Sequence, residues 1–303
     1  MSKAKKIIIA CLSCAVIAVL VVASSLLIDV YGVADYKDYF KDVEFSEGPE
    51  ITVMTYNIKC VTTGTDREIS WSNRRSGMME QIASVAPDIL CMQEVKAMQE
   101  GFLTKKLGEK YGYVYQYRSD DYLAKEAVPV FYNKERFEFV ESDNFWLSET
   151  PDKMSIGWDA ALERICTYVR LTDKRTGNDI AVYSTHFDHM GETARIESAR
   201  LIISRMSKEE IPAILLGDLN FGEGEEPYTF ITQSLTDSKY DAAVSENSNT
   251  YNGYRDETKN DPPIDFIFHN GKFTTASYDV LNEKADGIYL SDHFPIVAEI
   301  SFK

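Results

Sequence analysis

The chain has 303 residues, of which 44% are hydrophobic and 26% charged, with 16 glycines and 9 prolines. This composition excludes a collagen-like, low-complexity or largely disordered chain. Its 48 acidic residues exceed its 32 basic residues, giving a formal net charge of -16, which argues against tight binding of nucleic acid by charge alone.

The first element predicted along the chain is a membrane helix. Residues 7–28 form a run of 22 residues without any charge. A helix of that length rises about 33 Å, enough to cross a hydrocarbon core of roughly 30 Å. Lys3, Lys5 and Lys6 precede the run, so the positive-inside rule keeps the amino terminus in the cytoplasm and the rest outside. Residues 1–29 are therefore predicted to be a signal anchor or transmembrane helix.

Two other fates of this segment stay open. A small-residue patch at residues 23–25 could be cut as a secretory signal, which would make the protein secreted instead of membrane-anchored. The run before Cys11 loosely resembles a lipoprotein signal, although its apolar part is short. The acidic, weakly patterned residues 30–49 are predicted to be a stalk, and residues 50–303 a single catalytic-size domain.

From residue 51 onward, strand-like runs alternate with helix-like runs, which predicts an α/β domain. The strand candidates show alternation of apolar residues or enrichment in β-branched residues, and they are Ile51–Ile58, Ile89–Gln93, Tyr113–Tyr117, Val128–Tyr132, Arg164–Leu171, Ile180–Thr185, Ala213–Leu216, Ile264–His269 and Pro295–Ser301. Apolar residues at helical spacing predict helices over Trp71–Val85 and Glu192–Met206. No long linker divides the chain after residue 50.

Polar side chains gather at the ends of these predicted strands. Three of the four histidines lie in STHFDH (184–189) and LSDHFP (290–295). Asn57, Glu94, Asp218 and Asn220 also follow or end predicted strands, and Asp265 lies inside an apolar one. Strand-end loops commonly carry functional residues, and a buried carboxylate such as Asp265 needs a partner.

Taken singly, several of these residues also have a purely structural explanation. Glu94 could be a solvated surface residue, Asp218 and Asn220 could form a turn, and His293 could be a satisfied core histidine. Their joint occurrence favours a site. A set rich in carboxylates, with few histidines and no clustered cysteines, suits a hard cation such as Mg²⁺ or Mn²⁺.

Six segments together carry a family resemblance: VMTYNI (53–58), DILCMQEV (88–95), STHFDH (184–189), LLGDLN (215–220), IDFIF (264–268) and SDHFP (291–295). In this order they resemble the endonuclease/exonuclease/phosphatase superfamily, which includes pancreatic-type deoxyribonucleases, apurinic endonucleases, deadenylases, inositol-polyphosphate phosphatases and bacterial sphingomyelinases. The resemblance implies a four-layer α/β sandwich, with two mixed β-sheets flanked by helices. It also implies hydrolysis of a phosphate ester with a divalent metal.

The resemblance assigns roles around the metal and the attacking water. Glu94 would be the principal metal ligand, and Asp292 would support the metal. Asn57 would form a hydrogen bond near the metal or the phosphate. Asp218 and Asn220 would position the water and the phosphoryl oxygens.

The remaining roles concern proton transfer and substrate. His186 would donate to a phosphate oxygen. His293 would be the general base or a phosphate stabiliser, oriented by Asp265; whether Asp218 or His293 takes the proton stays open. Arg164 suits bidentate phosphate binding, or it is an ordinary arginine at a strand start. His189 would line the opening of the same site, or it would have a purely structural role.

The leading prediction is a Mg²⁺-dependent phosphodiesterase of nuclease type, displayed outside the cytoplasm, with a phosphate ester, nucleic acid or nucleotide as substrate. One alternative is a phospholipid or sphingomyelin phosphodiesterase, and another a phosphatase of small phosphate esters. Phe145 and Trp146 are predicted to be a buried strand pair instead of a lipid-inserting hairpin. A non-catalytic surface module is the third class, although every expected catalytic residue is present. The membrane is the expected partner through the N-terminal helix, and no protein partner is inferred.

Overall fold

Strands and helices alternate along the part of the chain that the computed structural model describes, which is residues 13–17, 19–20, 35–62, 65–121, 125–245, 249–256 and 262–303. The strands in this part are, in chain order, β1 (Ile51–Asn57), β2 (Ile89–Gln93), β3 (Val95–Lys96), β4 (Tyr111–Val114), β5 (Glu126–Ala127), β6 (Val130–Asn133), β7 (Phe137–Trp146), β8 (Ile165–Asp173), β9 (Asp179–His186), β10 (Ala213–Asp218), β11 (Thr236–Asp237), β12 (Val244–Ser245), β13 (Asp265–His269), β14 (Phe273–Val280) and β15 (Ile296–Phe302). The helices are α1 (Trp71–Val85), α2 (Ala97–Leu107), α3 (Glu192–Met206), α4 (Glu226–Ile231) and α5 (Ser238–Asp241), with a 3₁₀ turn at Arg67–Ile69.

Two large sheets organise these strands. The first has the order β12-β14-β15-β1-β2-β6-β4 and the second β11-β13-β10-β9-β8-β7, and β3 pairs with β5 separately. Near the centre of each large sheet lies one parallel pair, β1 with β2 and β9 with β10, while β15, β6, β13 and β8 flank these pairs in antiparallel fashion. Both sheets are therefore mixed, as the resemblance implies.

Apolar residues sort into three layers of packing. Val53 and Val182 belong to a cluster between the sheets, whereas Met54, the next residue along β1, packs on the outer side with Met78 of α1. On the far side, Leu215 of β10 packs with residues of α3. Because successive strand residues point to opposite faces, both sheets are buried on two sides. The architecture is a four-layer sandwich of two sheets between helices.

The predicted helices and strands agree with the observed ones where the apolar pattern of the sequence is strong. Both predicted helices are observed with the predicted bounds, and each predicted strand has an observed counterpart shifted by at most a few residues. Phe145 and Trp146 lie in β7, where Phe145 is buried and Trp146 half-buried. The rest of β7 was not predicted because it is an edge strand with a mostly exposed run of polar residues, which blurs the alternation.

Residues 35–49 pack against the domain. The rings of Phe40 and Phe45 lie 5.7 and 5.5 Å from that of Tyr111, and Lys106 pairs with Asp35 at 3.3 Å. This differs from the stalk expected for residues 30–49, because the aromatic residues of this stretch bury apolar area on the outer side of the first sheet.

The predicted membrane segment, residues 7–28, lies mainly outside the described residues. In the part of the chain that the structure describes, no helix is both long and apolar enough to cross a membrane. The anchor and the location outside the cytoplasm stay predictions from the sequence.

Gly217 brings β10 close to β9 next to the strand ends that carry the polar residues. It has a φ of +147°, and a Cβ at this position would lie 1.9 Å from the carbonyl oxygen of Thr185. We expect Gly217→Ala to force the two strands apart and to lower the free energy of unfolding by about 1–3 kcal/mol. Urea unfolding measures this change. Gly101→Ala is the matched control, since a Cβ on Gly101 of α2 meets nothing within 4 Å; equal stability of the two variants would contradict the expected clash.

Candidate active site

Four strand ends meet at one end of the sandwich. The parallel register places Asn57 opposite Gln93, which precedes Glu94, and His186 opposite Asp218. The Asn57 Nδ2 atom donates to Asp218 Oδ2 at 2.9 Å and to Glu94 Oε1 at 3.2 Å. This single amide therefore links the polar residues of the two sheets.

Glu94 is held as a carboxylate. Its backbone has a positive φ of 62°, and its Oε2 atom accepts a hydrogen bond from the Cys60 amide at 2.9 Å. Burial raises the pKa of Glu94, but His186, Lys59 and the Cys60 amide outweigh burial and hold this pKa far below its usual value. Glu94 is thus ionised at neutral pH, as a metal ligand must be.

A second carboxylate, Asp292, is paired with a lysine. The Lys59 Nζ atom lies 3.0 Å from Asp292 Oδ2. Lys59 has a left-handed φ of 56°, and its carbonyl accepts hydrogen bonds from Arg74 at 3.2 Å and Gln99 at 3.0 Å. Burial lowers the pKa of Lys59, but the charges of Asp292 and Glu94 raise it by more, so this pKa lies above its usual value. The left-handed backbone of Lys59 thus holds its ammonium group beside the carboxylates of Asp292 and Glu94.

His293 and Asp265 form a buried pair. His293 Nδ1 lies 2.9 Å from Asp265 Oδ2, and His293 Nε2 lies 3.7 Å from Asp218 Oδ2. Burial lowers the pKa of His293, but Asp265 and Asp218 outweigh it and raise this pKa. Burial and Asp265 raise the pKa of Asp218. Asp265 therefore has the partner that its apolar strand requires, and the contact sets the orientation of the imidazole.

His186 and Asn220 lie on either side of Asp218. His186 Nε2 is 3.4 Å from Asp218 Oδ2, and burial followed by Arg164 lowers the pKa of His186. Asn220 has a φ of 52°; its amide donates to Asp218 Oδ1 at 3.0 Å, and its side chain donates to the Phe187 carbonyl at 3.0 Å. The tight turn after β10 thus points two polar groups toward the same cavity.

Arg164 is anchored by the segment that follows β9. Its Nε atom lies 3.3 Å from Asp188 Oδ2, and its Nη2 atom lies 3.1 Å from His189 Nδ1. Asp188 Oδ1 in turn accepts hydrogen bonds from the amides of Ala161 and Gly191, among others. Burial raises the pKa of Asp188, but these backbone bonds and Arg164 lower it to about 2. Arg164 is buried and His189 exposed.

These residues surround one cavity of about 390 Å³. Among the ten residues predicted for the site, Asn57 and Asp265 lie directly behind it through their hydrogen bonds, and the other eight line it: Glu94, Arg164, His186, His189, Asp218, Asn220, Asp292 and His293. The structure therefore brings the predicted residues together, while their chemical roles stay predictions.

Sequence reasoning missed other residues of the wall, including Lys59, Arg118, Glu126 and Tyr251. Lys59 could have been found, because it directly follows the first motif and stands two residues after Asn57. Arg118 directly follows the predicted strand Tyr113–Tyr117 and could have been considered for the same reason. Glu126 begins the two-residue strand β5, which no sequence pattern predicted.

The donor set fits a hard divalent cation. Asp218, Asp265 and His293 offer ligand atoms that lie within 4.8 Å of one another, but Asp265 and His293 already bind each other. Glu94 and Asp292 offer carboxylate oxygens beside the Lys59 ammonium, which shows that positive charge is stabilised there. Oxygen ligands of this kind suit Mg²⁺ or Mn²⁺.

Comparisons with known proteins agree with this geometry. The profile of the Endonuclease/Exonuclease/phosphatase family matches residues 54–293. A structure of an endonuclease/exonuclease/phosphatase family protein from Bacteroides thetaiotaomicron is 31% identical with a TM-score of 0.80, covering 84% of this chain and 98% of that one.

Two further relatives carry functional names. The mannosyl-6-phosphatase of Bacteroides thetaiotaomicron is 31% identical with a TM-score of 0.79, covering 83% of this chain and 100% of that one. Nocturnin of Rattus norvegicus is 25% identical over 305 residues, covering 88% of this chain and 69% of nocturnin. The resemblance carried by the six segments is thereby confirmed: the chain belongs to the endonuclease/exonuclease/phosphatase family, whose members hydrolyse phosphate esters.

Proposed function

We propose that this protein hydrolyses a phosphate ester by in-line attack of water, with a divalent cation, Mg²⁺ or Mn²⁺, as cofactor. The observation that carries the proposal is the network in which Asn57 joins Glu94 to Asp218 while Asp265 holds His293 against Asp218. The name of the mannosyl-6-phosphatase neighbour at 31% identity supports phosphate-ester chemistry.

In this proposal, Glu94 and Asp292 hold the cation, which when bound offsets negative charge on the phosphoryl oxygens. Asn57 fixes the orientation of Glu94 relative to Asp218 through its two hydrogen bonds. Because Asn57 is fully buried, the carboxylates are prearranged before substrate binds, which is the condition for electrostatic stabilisation of a transition state.

Asp218 and His293 act as a pair in moving the proton of water. Both face the cavity, and Asp265 keeps the imidazole in place from behind. A positioned base helps because water is a weak nucleophile. His186, whose pKa is lowered by burial and by Arg164, donates a hydrogen bond to a phosphoryl oxygen.

The substrate classes considered from the sequence fare differently. A lipid-inserting hairpin at Phe145 and Trp146 is disfavoured, because these residues lie in β7 paired with β8. The acidic composition opposes long polyanions. A non-catalytic module is disfavoured by the complete network, since a fold used only for binding would not need to keep Asp265 and His293 paired.

Glu94→Gln is the direct test of the proposal. We expect it to weaken Mn²⁺ binding to the purified full chain by about 10-fold or more, because an amide lacks the charge of a carboxylate. At saturating Mg²⁺ we expect hydrolysis of p-nitrophenyl phosphate and bis-p-nitrophenyl phosphate to fall by about 10²–10³-fold. Calorimetry measures binding, and release of p-nitrophenol measures activity.

The matched control is Glu138→Gln, since Glu138 is exposed on β7 and lies outside the cavity lining. It should keep wild-type metal binding and activity. A wild-type chain that hydrolyses neither ester, or that works equally well with a chelator, would overturn the proposal. Thermal melting of each variant shows whether a loss reflects unfolding.

A further inference from the structure

A lysine side chain already lies against the carboxylates proposed to hold the divalent cation. The Lys59 Nζ atom is 3.0 Å from Asp292 Oδ2, and Lys59, Asp292 and Glu94 all line the same cavity. Burial lowers the pKa of Lys59, and the charges of Asp292 and Glu94 outweigh burial. The negative charge of the proposed metal site is therefore compensated, in part, by a cation of the chain itself.

The backbone of Lys59 is held firmly on both sides. Its amide donates to Asn57 Oδ1 at 3.1 Å, and its carbonyl accepts hydrogen bonds from Arg74 Nη2 at 3.2 Å and from Gln99 Nε2 at 3.0 Å. Arg74 and Gln99 are themselves buried, so these bonds are shielded from water. The main chain thus fixes the base of the Lys59 side chain next to the carboxylates.

The ammonium group at the other end of this side chain is held much less firmly. Among the residues that the structure describes, Asp292 is the one that forms an ion pair with Lys59, whose side chain is 39% exposed. A lysine side chain is a flexible stem that carries a compact charge, and a single ion pair of this exposure contributes little to stability. The ammonium group can therefore leave Asp292 while the backbone stays in place.

A divalent cation and this ammonium group would compete for the same carboxylates. Asp292 Oδ1 lies 3.4 Å from Ser291 Oγ, whereas Oδ2 is the oxygen that Lys59 contacts. Asp292 is 5% exposed, and like charges repel strongly at short distance where little water screens them. Metal binding at Glu94 and Asp292 therefore requires Lys59 to move away, and the loss of its ion pair weakens metal binding.

We propose that Lys59 is an internal counter-ion of the metal site: its ammonium group pairs with the carboxylates in the metal-free protein and is displaced when the divalent cation binds. This inference rests on the proposed function, in which Glu94 and Asp292 hold the cation, and it makes Lys59 a residue that sets the affinity for the metal. The alternative is a structural role, in which the ion pair orients Asp292 as a ligand. The two roles predict opposite effects of removing the ammonium group on metal binding.

Lys59→Met tests the sign of this effect. We expect Mn²⁺ to bind the purified full chain about 10-fold more tightly in this variant than in wild type, because the metal no longer displaces a charged hydrogen-bond donor. Calorimetry measures the dissociation constant without any substrate. Lys59→Gln should act in the same direction and keeps the test decisive if Lys59→Met does not fold. Lys96→Met is the matched control, since Lys96 stands two residues after Glu94 but lies outside the cavity lining; it should change the dissociation constant by less than about 2-fold.

A second readout follows the displacement itself. The ¹³Cε–¹Hε signal of Lys59, assigned by its absence from the spectrum of Lys59→Met, should move toward the position of solvated lysines when Mg²⁺ is added to the wild-type chain. The signal of Lys239 is the internal control and should stay in place, because Lys239 is 6% exposed and pairs with Glu223 at 2.6 Å, away from the cavity. A Lys59 signal that saturating Mg²⁺ leaves unchanged would contradict the displacement.

The outcomes distinguish the counter-ion role from the proposed function on which it rests. If wild type binds no Mn²⁺, or if Glu94→Gln binds it as tightly as wild type, the metal site of the proposed function fails. If Glu94→Gln weakens metal binding but Lys59→Met does not tighten it, or if Lys96→Met tightens it equally, the counter-ion role is overturned while the metal site stands. Tighter binding in Lys59→Met alone, together with the Mg²⁺-dependent movement of the Lys59 signal, supports it.

Discussion

Replacing His293 by alanine should lower kcat for phosphate-ester hydrolysis by about 10²–10⁴-fold, the usual contribution of a positioned acid–base group. The reason is geometric: the imidazole contacts Asp265 at Nδ1 and approaches Asp218 at Nε2, so its loss breaks the network on both sides. Steady-state kinetics at saturating Mg²⁺ measures the effect. We expect KM to change less than kcat, because Arg164 and the other cavity residues remain in place.

Asp265→Asn separates orientation from chemistry at the same site. The asparagine keeps the size of the side chain but loses the charge that holds the ring, so kcat should fall by less than in His293→Ala. The ¹H–¹⁵N signal of His293 Nδ1 should shift in this variant, which a merely structural change elsewhere would not produce. Asp152→Asn, at an exposed position, should leave both readouts unchanged; wild-type kcat in His293→Ala would exclude a catalytic role for this histidine.

The sequence predicted the site residues best where a polar side chain lies at the end of an apolar strand. Glu94, Asp218 and His293 could be predicted because each interrupts or follows an apolar strand in a recognisable motif. Arg118 was not predicted although it directly follows the predicted strand Tyr113–Tyr117, because it belongs to none of the six motifs and only the tertiary fold brings it to the cavity wall with Arg164. The arginine-lined side of the cavity is therefore less visible in the sequence than the side lined by Glu94, Asp218 and His293.

The same limit applies to the fold. Helix α1 was predicted with its observed bounds because Met78 and Ile82 repeat at helical spacing on its buried face. Helix α2 was missed because few of its residues are buried, chiefly Gln99, Leu103 and Leu107, which leaves a weak period. Strand β14 was missed because its burial pattern is broken at a register shift between Thr275 and Ser277. An irregular strand such as β14 gives no clear pattern in the sequence, although pairing with neighbouring strands stabilises it in the fold.

A buried ion cluster centred on Arg136 was also invisible in the sequence, and it predicts the largest effect on stability. Arg136 is 1% exposed, and its guanidinium lies 2.8 Å from Asp88 Oδ2 and 3.2 Å from Asp173 Oδ2. It also donates to the carbonyl oxygens of Pro49 and Glu50. Asp88 precedes β2 of the first sheet and Asp173 ends β8 of the second, so one cation joins both sheets.

Arg136→Met should lower the free energy of unfolding by about 3–5 kcal/mol, because it leaves two buried carboxylates without their counter-charge. Urea unfolding of the full chain measures the loss. The effect arises from desolvated charge and not from lost apolar packing, since methionine fills much of the same volume. Catalysis by the folded fraction should stay near wild type, because Arg136 is absent from the cavity lining.

The origin of this loss of stability can be tested by also removing the two carboxylate charges that Arg136→Met leaves unpaired. In Arg136→Met combined with Asp88→Asn and Asp173→Asn, part of the lost stability should return, because replacing a complete buried ion cluster costs less than breaking it. The matched single control is Arg67→Met: this arginine is exposed, and substitutions at such positions usually change stability by less than about 0.5 kcal/mol. If the triple variant were less stable than Arg136→Met, the hydrogen bonds of the two carboxylates, and not their unpaired charge, would account for the effect.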